Sequence, residues 1–172
     1  MAGKMSKKTW LIVAILIIAV GAIVGIALSR NSPSPSEFTL PIITWDETTI
    51  SSLEGTPVVL VFWSISCYWC RQQLPYFEDV AQQNEEEIKV IAINIRDSAS
   101  RIQTFFGDYE PTMTIALDNN REAFADYCLA YNNTRGAIPF TLFVDSEGIV
   151  KDVQIGAFRS EAELRDTVDS II

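Results

Sequence analysis

A pair of cysteines three residues apart, Cys67 and Cys70, sits inside the stretch VVLVFWSISCYWCRQQLP, Val58 to Pro75, and this stretch constrains the fold more than any other. The five apolar residues Val58 to Phe62 are rich in β-branched types and follow the Gly55-Thr56-Pro57 turn signal, so they read as a strand buried on both faces, with Trp63 continuing the run. After Ser64-Ile65-Ser66 and the cysteines come Arg71, Gln72, Gln73 and Leu74, all good helix formers, up to Pro75, where a kink is expected. The pair therefore belongs where a strand hands over to a helix. A helix N-terminus offers unpaired N–H groups and a partial positive charge, which favour a thiolate at Cys67. Cys70, one turn further in, lies within disulfide reach and is expected to be buried. The same spacing occurs in zinc knuckles and Cu(I) carriers, so spacing alone leaves a metal reading open; the strand-to-helix setting favours redox chemistry.

The sequence contains no histidine. That removes imidazole acid–base catalysis, a Ser-His-Asp triad and the usual zinc, copper and haem ligands, leaving three cysteines, carboxylates and backbone. No metal or other cofactor is expected. From Asn31 onward 9 Lys and Arg stand against 22 Asp and Glu, a net charge of −13, which argues against a nucleic-acid partner.

Trp10 to Leu28 form an uncharged, almost wholly apolar run of 19 residues. As a helix it would span about 30 Å, the thickness of a bilayer hydrocarbon core. No convincing small-x-small cleavage site follows, so an uncleaved anchor is expected. Lys4, Lys7 and Lys8 precede the run and only Arg30 follows it closely, which places the N-terminus inside and the remainder outside. The expected organisation is a cytoplasmic N-terminus (1–9), a transmembrane anchor (10–28), an extended Ser/Pro spacer (29–37) and one domain (38–172), with the protein a single-pass resident of the cell membrane.

Within that domain, Phe38 to Ile50 reads as a short strand pair and Ser51 to Gly55 as a capped turn. The active-site helix is expected to continue over Tyr76 to Glu87, followed by a strand over Ile88 to Ile95, a helix over Ser98 to Phe106 closed by Gly107, a strand over Met113 to Leu117, and a helix over Arg121 to Tyr131 capped by Asp118-Asn119-Asn120. Cys128 on that helix reads as a small buried apolar residue, and Asn132-Asn133-Thr134 as plain loop. Strands over Phe140 to Val144 and Ile149 to Ile155, joined by the Asp145-Ser146-Glu147-Gly148 turn, and an amphipathic helix over Ser160 to Ile172 complete the chain.

The aromatic-ended strand, Trp63 four residues before the first cysteine, and C-x-x-C leading into a long helix resemble the active site of the thioredoxin superfamily. The anchor, the FTL segment and the Glu54-to-Pro57 turn are similar to its TlpA/ResA-type branch. The resemblance implies an α/β, thioredoxin-like fold: a central mixed sheet flanked by helices, with an N-terminal β-hairpin and a central insertion, preceded by one transmembrane helix. It also implies a cis-proline at Pro139, preceded by Ile138 whose backbone would receive an extended substrate segment, and an apolar rim from Trp63, Tyr68 and Trp69. The implied activity is thiol-disulfide exchange, with Cys67 attacking and Cys70 resolving. Extracytoplasmic thiol or disulfide proteins would be the substrates, apocytochrome c among them, and a membrane electron donor or acceptor would reset the pair. A reductase is the leading direction, a disulfide oxidant the second, and a thioredoxin-like binding or Cu(I)-carrying module the third. A peroxiredoxin is disfavoured because its Thr and Pro are missing upstream of Cys67. Where many relatives of this type carry a Glu after the second cysteine, and thioredoxins a buried Asp before the first, this chain has Gln73 and Val61. Water, Glu78, Asp79 or the substrate thiolate is then left to take the Cys70 proton.

Overall fold

The computed structural model describes residues 55–172. The expected anchor, spacer and N-terminal hairpin lie outside the described residues. No helix among the described residues is long and apolar enough to cross a membrane.

Strand β1 (Val58–Trp63) is buried along its whole length because it is the middle strand of a five-stranded sheet. Strand β2 (Lys89–Asn94) pairs with it in parallel, Val58 opposite Lys89 and Trp63 opposite Asn94. On the other side β4 (Phe140–Val144) runs antiparallel, with Leu60 opposite Leu142. Strand β3 (Thr114–Leu117) extends the sheet in parallel beyond β2, and β5 (Val150–Ile155) pairs antiparallel with β4, giving the order β3-β2-β1-β4-β5. A parallel pair needs a crossover. Helix α1 (Tyr68–Gln83) supplies it from β1 to β2, and α2 (Ala99–Phe106) from β2 to β3.

Alternation along β1 sends side chains to two separate cores. Val59, Val61 and Trp63 join Leu74, Phe77 and Val80 of α1, Ile102 of α2, and Leu164 and Val168 of the last helix, α4 (Glu161–Asp169). Val58, Leu60 and Phe62 pack with Phe140 and Leu142 against Phe124 and Tyr127 of α3 (Glu122–Ala130). The Phe62 ring lies 5.4 Å from Phe124 and 5.7 Å from Phe140.

The helix ends follow local chemistry. α1 runs through the exposed Pro75 but stops at Gln83, short of the expected Glu87, because Asn84 turns its amide and side chain back onto the Val80 carbonyl at 3.1 and 3.0 Å. Ser98 caps α2, and Gly107 at φ 61° closes it, a backbone angle that favours glycine. Asp118 caps α3 from a distance: its Oδ2 accepts the Phe124 N–H at 2.7 Å, while Arg121 takes the left-handed N-cap position. The last helix is shorter than expected at its C-terminal end, stopping at Asp169.

Candidate active site

Cys67 is the N-cap of α1, and Cys70 is in its first turn. The two form a disulfide, with Cα atoms 5.3 Å apart. They differ in access: Cys67 is half-buried, whereas Cys70 is 2% exposed beneath the helix. The Cys70 backbone N–H donates to Cys67 Sγ at 3.1 Å, so the outer sulfur occupies the place of a capping oxygen. On its other side, Cys67 Sγ lies 3.6 Å from the Ile138 carbonyl oxygen. A thiol can donate to that carbonyl and a thiolate cannot, so the two contacts act on Cys67 acidity in opposite senses.

The Ile138–Pro139 peptide is cis, with Pro139 buried and Ile138 half-buried. The loop before it is braced by Asn133, a residue whose sequence context reads as plain loop. Asn133 is buried; its Nδ2 donates to the Ala137 carbonyl and its Oδ1 accepts the Ala137 N–H, both at 2.9 Å. Behind the proline, the Pro139 carbonyl accepts from Gly156 N at 2.8 Å.

Two of the three aromatic residues expected on the rim are there. Tyr68 and Trp69 are 56% and 61% exposed, their rings edge to face at 5.2 Å. Trp63 is not on the rim. It is fully buried, its ring 5.7 Å from Phe105 and 6.1 Å from Phe106, because its place on β1 points it into the core under α1 and α2. It supports the site from below and cannot touch a substrate in this arrangement.

The bases considered for Cys70 resolve differently. Val61 faces the core. Gln73 is buried on the same helix face as Cys70 and donates through Nε2 to the Phe158 carbonyl at 2.9 Å. Glu78 is occupied elsewhere: its carboxylate accepts from Thr112 N at 2.7 Å, Met113 N at 3.1 Å, Tyr109 Oη at 2.9 Å and Gln82 Nε2 at 2.9 Å. Burial alone would push the Glu78 carboxyl up, but these donors together hold it below its ordinary range. It is tied to the segment just before β3 and does not serve the thiols.

The segment between β1 and Cys67 is held by residues that the sequence did not single out. Asp97, just past the end of β2, is buried, and its Oδ2 accepts the Ile65 N–H at 2.8 Å and Asn94 Nδ2 at 3.1 Å. Arg71 Nη1 donates to the Ile65 carbonyl at 2.5 Å. Only an Asn-x-x-Asp pattern at the end of a buried strand hinted at this.

Cys128 is half-buried, more open than expected, on the other face of the sheet. It lines a recess of about 820 Å³ with Arg121, Phe124, Leu129 and Arg135. Burial pushes its thiol above the ordinary value, with Arg121 pulling weakly the other way.

A half-buried N-capping cysteine, a fully buried partner one turn on, and a cis-proline beside them on a β3-β2-β1-β4-β5 sheet define a thioredoxin-like thiol-disulfide oxidoreductase. The chain belongs to the AhpC/TSA family, whose sequence model matches residues 32–153. It is 25% identical to the thioredoxin-like protein YneN of Bacillus subtilis over 177 residues, covering 94% of this chain and 98% of that one. It is 28% identical to the thiol-disulfide oxidoreductase ResA of Oceanobacillus iheyensis over 127 residues, which is 70% of this chain and 63% of the relative. Among solved structures, that of MTB dsbF in mixed oxidized and reduced forms superposes with a TM-score of 0.68 at 26% identity, covering 82% of this chain and 99% of that one. StoA from Bacillus subtilis shares the fold, with a TM-score of 0.61 at 20% identity over 76% of this chain and 94% of that one.

Proposed function

We propose that the protein is a membrane-tethered disulfide reductase working outside the cytoplasm, with Cys67 as the attacking thiol and Cys70 as the resolving one. The observation that carries this reading is the unequal access of a bonded pair: Cys67 is half-buried at a helix N-terminus and Cys70 is sealed beneath it. The Cys67 thiolate attacks one sulfur of a partner's disulfide, a mixed disulfide forms, and the partner's other sulfur leaves as a thiolate. Cys70 then attacks Cys67 Sγ, the partner's second thiol departs, and the Cys67–Cys70 disulfide remains. Two electrons have passed to the partner. A membrane electron donor returns the pair to dithiol.

Substrate binding by strand addition at Ile138 is supported by its place beside Cys67 Sγ and by its amide N–H, which donates no hydrogen bond among the described residues. Tyr68 and Trp69 supply the apolar rim around it. An open, aromatic surface suits exported protein chains, apocytochrome c among them, better than a small molecule. The apolar run 10–28 supports the tether, with 1–9 inside, 29–37 as spacer and 38–172 as the exported domain.

The test is a pair of measurements on the full chain. Cys70→Ser should trap mixed disulfides through Cys67 with a disulfide-containing peptide. The wild-type potential, equilibrated against glutathione, should lie nearer the roughly −270 mV of thioredoxin than the roughly −120 mV of DsbA. Trapping through another cysteine would overturn the role assignment. A potential at the oxidising end would overturn the direction and favour a disulfide oxidant.

A further inference from the structure

We propose that Asp97 is a positioning residue for Cys67, acting through the Ile65 backbone; this rests on the reading of Cys67 as the attacking thiol. The turn from β1 into α1 closes on itself, with Cys67 N–H donating to the Ser64 carbonyl at 3.1 Å. That bond fixes the shape of the turn but leaves its orientation relative to the sheet to other groups. Beyond the Trp63 carbonyl, which accepts the Ile95 N–H at 3.1 Å where the strand ends, orientation comes from outside at one residue, through the two peptides that flank its Cα. Asp97 Oδ2 receives the Ile65 N–H at 2.8 Å, and Arg71 Nη1 donates to the Ile65 carbonyl at 2.5 Å. The two holding groups come from different elements, Asp97 from the end of β2 and Arg71 from α1, so together they lock strand, turn and helix into one arrangement.

Asp97 is itself rigidly placed. It is 4% exposed; Asn94 Nδ2 donates to its Oδ2 at 3.1 Å, and Asn94 Oδ1 accepts the Asp97 N–H at 2.8 Å and the Arg96 N–H at 3.0 Å. It does not cap α2, a task that Ser98 performs. The charged groups that face it are Arg101 from α2, 3.6 Å from Oδ1 with its side chain 67% exposed, and, across residue Ile65, Arg71 from α1. What depends on this placement is the N-cap geometry of Cys67, whose sulfur meets the Cys70 N–H at 3.1 Å only if the turn enters the helix at the observed angle. Loss of that alignment weakens thiolate stabilisation at the helix N-terminus.

Charge and position predict opposite signs. A carboxylate near a thiol raises the thiol's pKa, so removing its charge alone would lower the midpoint of Cys67 reactivity. Removing a positioning contact would raise it. Asp97→Asn keeps an acceptor at the Oδ2 position for both Ile65 N–H and Asn94 Nδ2 and removes only the charge, whereas Asp97→Ala removes both.

The experiment follows iodoacetamide alkylation of each cysteine by peptide mass spectrometry in the reduced full chain, across pH, beside thermal unfolding. We expect Asp97→Ala to raise the Cys67 midpoint by about one pH unit, a roughly tenfold loss of rate well below it, and Asp97→Asn to stay within about twofold of wild type. Unchanged midpoints in both variants, or a parallel fall in both, would overturn the proposal. Should Asp97→Ala fail to fold, Asn94→Ala frees Asp97 without altering any charge and must raise the midpoint; no shift there overturns it equally. If wild-type Cys67 is not the first cysteine alkylated, the functional reading itself fails, a result visible in the wild-type arm alone.

Discussion

Glu78 shows how one side chain can be costly and stabilising at once. Its carboxylate is buried, which opposes ionisation, yet four donors converge on it, two of them backbone N–H groups just before β3. Glu78→Gln would turn an amide group toward donors that need acceptors, at a cost of about 2–4 kcal/mol at neutral pH. Because the folded-state pKa lies below the ordinary 4.5, the stabilisation is complete above that value and is lost as pH falls through the folded-state pKa. Urea unfolding of wild type and variant should therefore show a stability gap that narrows below about pH 4. A gap of constant size from pH 7 to pH 3 would mean that the ionised form is not what the donors hold. From sequence Glu78 is a candidate base for Cys70, since helical position is legible there and the partner of a side chain is not. Asp97 is silent for the same reason, its key contact being 32 residues away in the chain. Trp63 misled differently: an aromatic at a strand end reads the same whether it faces the core or the solvent. The cysteines were legible because their chemistry depends on local context, a strand followed by a helix.

The loop from Tyr131 to Pro139 is the element on which substrate approach depends, and the Asn133 side chain braces it. Asn133 bridges both backbone groups of Ala137, one residue before Ile138. Asn133→Ala removes both bonds and leaves part of that peptide unsatisfied, so about 1–3 kcal/mol of stability should be lost. The sharper expectation is kinetic: exchange with a disulfide peptide should slow several-fold, because Ile138 no longer holds its place beside Cys67, while alkylation of Cys67 by a small reagent is not slowed, since the thiol loses an acceptor and the thiolate does not. Equal losses in both assays would show that the loop shapes the thiol and not the peptide site. The strands themselves were readable from their β-branched runs. Helix ends were less so, since Asn84 ends α1 by bonding back to Val80, a competition between side chain and backbone that periodicity does not register.

Across the whole molecule, the sheet divides the interior into two cores, and this division was legible only in part. Alternation in β1 announces two faces, but which helix covers which face depends on crossover handedness and on contacts far apart in sequence. α1 with Cys67 and Cys70 packs on one face, and α3 with Cys128 on the other. One sheet and the side chains of both its faces thus stand between the third sulfur and the other two, more than the roughly 7 Å between Cα atoms that a disulfide tolerates. An odd cysteine in an exchange protein is a hazard, since a mispaired bridge would take the working pair out of its cycle. Here the hazard is confined to the unfolded chain. Oxidised while folded, the protein should yield only the Cys67–Cys70 linkage on peptide mapping. Oxidised in denaturant, it should give all three pairings, so scrambling becomes a covalent record of whether a molecule was folded when its sulfurs were last free.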